Sequence, residues 1–232
     1  DRDGSQRRRV NGKTASAPFL LAIDVGTSAL KAVVYDRGGQ VLAVASQRYG
    51  YATPQPGWAE ADPHAWWDAF DAAVTELGQQ GDGLGQVQVV AVTGQMHTAV
   101  LLDAAGEALA PTILWLDRRA VTETSELQAR FALPPYHLNS TYTLPKLLWL
   151  ARHRADVLRA TACVLWPKDY LRYRFTGLQL TDYTEAGGAA LLDWATHTWA
   201  TDRLAAVGLD PAVLPPLRRP EDDGGRLLPH LA

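Results

Sequence analysis

Asp24, Gly26, Thr27, Ser28 and Lys31 fall within one short run, Leu20-Leu21-Ala22-Ile23-Asp24-Val25-Gly26-Thr27-Ser28-Ala29-Leu30-Lys31-Ala32-Val33-Val34-Tyr35-Asp36. Their types suit a magnesium-bound phosphate. A glycine, lacking Cβ, lets the backbone turn sharply and come close to a ligand. Successive amides in such a turn form a concave anion nest. Thr27 and Ser28 add hydroxyl donors, Lys31 adds a compact cation, and Asp24 is a hard oxygen ligand suited to Mg2+. Phosphoryl transfer asks a protein mainly to position groups and neutralise charge, and this inventory does both. Neither G-x-x-x-x-G-K-[ST] nor G-x-G-x-x-G is present in the run. An Asp-x-Gly turn that only reverses a β-hairpin is the plainer alternative. The two hydroxyls, the lysine and the apolar strands on both sides favour phosphate binding.

The elements around the turn follow from patterning. Residues 19–24, 31–36 and 40–48 read as three successive strands, with Asp36-Arg37-Gly38-Gly39 turning between the second and third. Residues 50–61 form a loop rich in Pro and Gly. Asp62-Pro63 opens a helix that runs to about Leu77, with Trp66, Phe70, Val74 and Leu77 on one stripe. Trp66 and Trp67 then read as core and rim aromatics. Residues 86–93 are continuous and β-branched, which predicts a strand buried on both faces. Short strands are expected at 98–102 and 113–115, with Asp103-Ala104-Ala105-Gly106 turning between them. Helices are expected at 118–130, 144–160, 167–175 and 200–207, and a hairpin at 177–194. Three strands, a helix, a buried strand and further helices indicate an α/β or α+β class.

Composition narrows the function classes. The chain has 232 residues, is 47% hydrophobic and carries a net charge of −3, enough for a sizeable core and without a basic surface for nucleic acid. No apolar run approaches membrane-spanning length. The single cysteine, Cys163, excludes an internal disulfide and a cysteine metal cluster and suits a reducing cytoplasm. It sits in Cys163-Val164-Leu165-Trp166 and reads as a buried structural thiol. Residues 1–17 are polar, contain Arg7-Arg8-Arg9 and lack apolar periodicity, which reads as a disordered leader ahead of a domain at 18–232.

Beyond the turn, several ordered segments stand out: Pro56-Gly57-Trp58-Ala59-Glu60-Ala61-Asp62-Pro63, Gly94-Gln95-Met96-His97, Ile113-Leu114-Trp115-Leu116-Asp117-Arg118-Arg119, Pro145-Lys146-Leu147-Leu148-Trp149, Pro167-Lys168-Asp169-Tyr170-Leu171-Arg172 and Thr181-Asp182-Tyr183-Thr184-Glu185-Ala186. With Asp24-Val25-Gly26-Thr27-Ser28 they resemble the N-terminal domain of the FGGY carbohydrate kinases, most closely the xylulokinase branch, over about residues 19–231. The resemblance implies a ribonuclease H-like, actin-like ATPase domain: an α/β fold with a mixed sheet flanked by helices. It implies ATP and Mg2+ as cofactors, a small sugar as partner and a second, C-terminal kinase domain beyond Ala232. A homodimer is left open.

Carried over residue by residue, Asp24 would lie near Mg2+ and the transferring phosphoryl group, and Gly26, Thr27, Ser28 and Lys31 would face the phosphates. Gln95, Met96 and His97 would meet the sugar, Trp115 would line its pocket, Asp117 would accept a sugar hydroxyl and Tyr142 would reach the same pocket. Arg118 and Arg119 read as helix-start or surface residues. Lys168-Asp169 reads as a structural ion pair or cap. Relatives carry a hydroxyl where this chain has Ala186-Gly187-Gly188, so any role of that hydroxyl is absent here. The general base of the family is an aspartate in a Gly-Gly-Gly-Asp-like turn opening the second domain. Glu221, Asp222 and Asp223 lie in a polar loop and do not replace it. The implied reaction, ATP plus D-xylulose giving ADP and D-xylulose 5-phosphate, belongs to the intact enzyme, and this chain alone is expected to be inactive. The alternatives are a family member acting on ribulose, gluconate, glycerol or a tetritol, and a non-catalytic sugar-binding half. A third class, an actin- or chaperone-type ATPase, shares the turn but not the later segments.

Overall fold

The computed structural model describes residues 19–81 and 83–231. The leader expected at 1–17 lies outside them. Three strands come first: β1 (Phe19–Val25), β2 (Ala29–Tyr35) and β3 (Val41–Arg48). They form two antiparallel hairpins, as the turn chemistry predicts. A short β4 (Glu60–Ala61) precedes α1 (His64–Gln79), and β5 (Val87–Gly94) returns parallel to β1. The sheet order is β3-β2-β1-β5. The register sets Asp24 between Lys31 on β2 and Thr93 on β5, so all three side chains share one face near the end of β1.

Asp62 Oδ1 accepts the His64 amide at 2.9 Å and starts α1. The buried face of α1 is Trp66, Ala69, Ala73 and Leu77, while Phe70 and Val74 pack at its rim. Gln80 at the end of α1 donates to Val44 O at 2.9 Å and accepts Val44 N–H at 3.2 Å, which blunts the outer edge of β3.

The chain continues through β6 (Val100–Leu102), β7 (Thr112–Ile113), α2 (Val121–Phe131), α3 (Thr143–His153), α4 (Ala155–Ala160), β8 (Cys163–Leu165) and α5 (Pro167–Thr176). It ends with β9 (Thr181–Asp182), α6 (Tyr183–Gly188), β10 (Leu192–Asp193), β11 (Thr198–Trp199), α7 (Thr201–Val207) and β12 (Leu217–Arg218). Pro167 opens α5 and Gly177, at φ 73°, closes it.

Two hydrophobic clusters hold the molecule. The first lies between one sheet face and α1 and α5, with Ile23, Val25, Leu30, Trp66, Tyr170 and Phe175. The second joins α2, α3, α7 and the α6–β10 segment through Leu127, Leu144, Leu147, Trp166, Leu191 and Leu204. The antiparallel β6–β8 ribbon lies between them. Val100, Leu102 and Leu165 enter the first cluster, whereas Leu101 and Val164 enter the second. This is the period of two expected of a strand with both faces buried. Cys163 is buried at the start of β8, and burial pushes its thiol up to about 11, consistent with an inert structural cysteine.

Four expectations need correction. β5 is not buried on both faces. It is a sheet edge, α1 and α5 cover only one face, and Val89 is 43% exposed. The helix expected at 144–160 is two helices, broken at Arg154, whose φ of −141° is not helical. The strand expected at 113–115 is Thr112–Ile113, fixed by pairing with β4, and the turn at 103–106 leads back to a bridge at Ala108. No hairpin spans 177–194. Asp182 instead caps α6 by accepting Glu185 N at 3.0 Å, and the hairpin is β10–β11.

Lys168-Asp169 is structural, as expected. Lys168 Nζ bonds Asp169 Oδ1 and Asp182 Oδ2, both at 2.8 Å, and Thr181 Oγ1 donates to Asp169 Oδ2 at 2.6 Å. Arg172 reaches Asp169 and the Leu180 carbonyl. The network ties α5 to β9 and α6. Lys168→Met leaves Asp169 buried without its ammonium and is expected to cost about 3 kcal/mol in urea denaturation. A loss below about 0.5 kcal/mol, typical of an exposed pair, would show that the network does not hold these elements together.

Candidate functional site

The turn after β1 is built to stay fixed. Gly26 N donates to Ala29 O at 3.0 Å, and a Cβ on Gly26 would sit 2.9 Å from that oxygen. The Gly26 carbonyl accepts from Tyr49 Oη at 2.6 Å and from Gln95 Nε2 at 3.2 Å. Burial and the nearby Asp24 carboxylate raise the Tyr49 phenol, so it stays a donor. Asp24, Ser28 and Lys31 are exposed around the turn. Trp115 Nε1 donates to Thr27 Oγ1 at 2.9 Å, which leaves the Thr27 hydroxyl hydrogen free to donate elsewhere.

The second wall grows from the end of β5. Gln95 N donates to Val25 O at 2.8 Å, and a Cβ on Gly94 would meet that same oxygen at 2.9 Å. The β1 and β5 ends are therefore locked side by side, and Gln95, Met96 and His97 stand next to the Gly26 turn. His97 has φ 64°, a left-handed backbone rare for a side chain with Cβ. Its Nδ1 bonds the Gly188 carbonyl at 2.5 Å, and its ring packs on Tyr142 with centroids 4.7 Å apart. Burial holds the His97 imidazole below the usual range, with Lys146 adding to the effect and the Gly188 bond opposing it. Tyr142 thus packs beside His97.

Trp115 is 39% exposed, and its backbone is pinned by Thr98 Oγ1, which accepts Trp115 N at 3.1 Å and donates to Met96 O at 3.3 Å. Thr98 was missed in the sequence because it reads only as a strand residue. Asp117 is a correction. It is 1% exposed, and its carboxylate accepts from Ala59 N at 2.6 Å and from Arg119 Nη2 at 2.8 Å, so it faces the core and not a ligand. Arg119 is likewise no surface residue. Its side chain is 2% exposed, pairs with Glu60 at 2.8 Å and lies 3.7 Å over the Trp58 ring. The structure thus brings together Asp24, Gly26, Thr27, Ser28, Lys31, Gln95, Met96, His97, Trp115 and Tyr142, and excludes Asp117.

The donor set bears on the metal. Among the described residues no group of three or more His, Cys, Asp or Glu could hold an ion. A single exposed carboxylate on the turn fits Mg2+ carried by phosphate and water, since that ion keeps most of its waters and needs one or two carboxylates. Asp24 is the residue that would meet it.

The glycines at 187 and 188 have packing reasons. A Cβ at Gly187 would collide with the Trp194 ring, and one at Gly188 would collide with Met96 Cε and stand 3.5 Å from the His97 ring. Gly188→Ala is expected to cost only about 1 kcal/mol, because a methionine is flexible, while moving the wall formed by Met96. Met96 is the only methionine, so its methyl resonance in a 13C-methyl spectrum reads this directly. An unmoved Met96 resonance in the folded variant would contradict the packing argument.

Comparison with known proteins agrees with this geometry. Residues 19–232 match the FGGY family of carbohydrate kinases, N-terminal domain. The chain is 38% identical over 218 residues to the xylulose kinase of Escherichia coli (strain K12), covering 92% of this chain and 45% of that protein. It superposes on the crystal structure of a xylulose kinase from Brucella ovis with a TM-score of 0.87 and 34% identity, over 91% of this chain and 46% of the other. It superposes on a gluconate kinase from Lactobacillus acidophilus with a TM-score of 0.86 and 28% identity, over 93% of this chain and 44% of the other. The chain spans about half the length of the relatives it matches. These matches show that the chain belongs to the FGGY family of carbohydrate kinases.

Proposed function

We propose that the protein carrying this chain phosphorylates a small ketose, D-xylulose, at the expense of ATP, giving D-xylulose 5-phosphate and ADP, with this chain as the jaw that holds the phosphate turn and one sugar wall. The observation that carries the reading is the junction of the two loops. Gln95 Nε2 bonds the Gly26 carbonyl at 3.2 Å, and Trp115 bonds Thr27 at 2.9 Å, which supports reading the Gly26 turn and the Gln95-Met96-His97 segment as parts of one site. The xylulose kinases among its relatives support the choice of sugar.

The residues divide the work. Amides of the Gly26 turn, the Thr27 and Ser28 hydroxyls and the Lys31 ammonium meet phosphate oxygens and balance their charge. Mg2+, when bound at Asp24, neutralises phosphate charge. His97 hydrogen-bonds a sugar hydroxyl, and Met96, Trp115 and Tyr142 offer apolar surface to sugar C–H faces. The attacking hydroxyl gives its proton to a base outside this chain, in the second domain that the family resemblance implies. Closure of the two halves excludes water and completes the geometry, so this chain alone has no turnover.

A second reading, a gluconate-type substrate, is favoured by the close superposition on a gluconate kinase. One experiment addresses both. In the full-length protein, Asp24→Ala is expected to lower kcat by at least about a hundredfold with the fold intact. In coupled ADP-release assays, xylulose is expected to give the highest kcat/KM among xylulose, ribulose, gluconate and glycerol. Wild-type turnover in the variant removes Asp24 from the reaction, and a higher kcat/KM on gluconate selects the second reading.

A further inference from the structure

His97 is held through its backbone by two buried titratable residues that no motif assigns. Lys146 on α3 is 3% exposed, and its Nζ donates to His97 O at 3.2 Å and Thr141 O at 2.7 Å. Glu185 on α6 is 2% exposed, its carboxyl faces the His97 N–H, and its Oε1 has no hydrogen-bond partner among the described residues. Lys146 thus bonds the carbonyl of one left-handed residue, and the Glu185 carboxyl lies near its amide. The ring adds a third point of attachment through Nδ1. Because the Gly188 carbonyl can only accept, Nδ1 must carry the proton. In a neutral imidazole this leaves Nε2 as an acceptor, and Nε2 has no protein partner among the described residues.

We propose that Lys146 and Glu185 are positioning residues for His97: they fix its left-handed backbone and keep it a neutral imidazole whose unprotonated Nε2 accepts a hydrogen bond from a sugar hydroxyl. The proposal rests on the reading of His97 as a sugar contact and deepens it, because an acceptor selects a hydroxyl and rejects a carbonyl oxygen or an anion at that point.

The charges around His97 act in one direction. From α3 it faces Lys146 and the Tyr142 phenol, and from α6 it faces Glu185. Asp117, Arg118 and Arg119 act on Lys146, while Lys168, Asp169 and Asp182 act on Glu185. Burial pulls Lys146 down to about 7, with Arg119 and Arg118 adding to the effect and Asp117 opposing it. Burial pushes Glu185 up to about 8, with Asp169 and Asp182 adding and Lys168 and the His97 amide opposing. As pH falls below about 7, Lys146 becomes charged, and that charge opposes protonation of His97. Over the same range Glu185 stays neutral and offers no negative charge to stabilise an imidazolium.

The test is 15N NMR of the imidazole in this chain, with the His97 resonances assigned from a His97→Gln spectrum. The wild type is expected to show the Nδ1–H tautomer and a titration midpoint below that of an ordinary histidine. Lys146→Met is expected to raise the midpoint and mix the tautomers, and Lys146→Arg to restore the low midpoint by restoring the charge. Glu185→Gln, which can still accept the His97 amide, is expected to keep the tautomer, whereas Glu185→Leu loses it. A wild-type Nε2–H tautomer overturns the proposal without any variant. An unchanged midpoint in folded Lys146→Met overturns it as well. In the full-length protein, Lys146→Met is expected to raise the sugar KM about tenfold, the worth of one good buried hydrogen bond, with kcat near wild type. If the NMR results hold but His97→Ala leaves KM unmoved, the positioning stands and the sugar reading of His97 fails.

Discussion

The lateral pairing of β1 with β5 is the constraint on which the site depends. Both strands run in the same direction and end together, with Val25 opposite Gly94. Parallel strands cannot be joined by a tight turn, so whatever follows each strand end is free to be a loop. Here the two loops are joined, because the Val25 and Gly26 carbonyls both accept from Gln95. One sheet register thus places the Gly26 turn and the Gln95-Met96-His97 segment within bonding distance, although they lie some seventy positions apart in sequence. Tyr49, at the end of β3, adds the third strand to the same junction.

The two hydrophobic clusters divide the labour around that junction. The sheet-side cluster makes the β1–β5 platform rigid, while the helical cluster carries α3 and α6, which hold His97 from behind. The β6–β8 ribbon belongs to both clusters and transmits the position of one to the other through alternate side chains. A core substitution at Leu101 and one at Leu102 therefore strike different halves of the molecule, although the residues are neighbours. The buried Asp117–Arg119–Glu60 arrangement has a similar bridging role, tying the loop before β4 to the segment after β7.

Much of this was legible in the sequence, and the reasons differ by element. The first three strands were readable because turn residues and apolar alternation agree there. α1 was readable because a capping Asp and Pro precede a periodic stripe. The turn between β1 and β2 was readable from its residue types alone, since they are all local. β5 misled because a continuous apolar run looks the same whether one face or both are covered. The 144–160 region misled because its helical pattern continues through a break that only the backbone of Arg154 reveals. Asp117 misled because its neighbour in sequence, Arg119, folds back onto it. That contact depends on the Trp58 and Trp149 rings, which are distant in sequence. Glu185, Lys146 and Thr98 could not be assigned roles for the same reason: each acts on a backbone group of another segment, and no spacing rule records that.

This last point bears on how such a site changes its substrate. The Gly26 turn is specified by local residue types, since Asp24, Gly26, Thr27, Ser28 and Lys31 lie in one short run. The Gln95-Met96-His97 segment is specified largely by backbone: a left-handed His97, a carbonyl at Gly188 aimed at its ring, and glycines at 187 and 188 that leave room for Trp194 and Met96. Gly188 on α6 both accepts from the His97 ring and lies against Met96, so the position of that helix bears on both side chains without any change in the Gln95-Met96-His97 motif. The superpositions of this chain on a xylulose kinase and on a gluconate kinase are nearly equal, so the backbone fold alone does not separate these two relatives, and the difference must lie in local geometry of this kind.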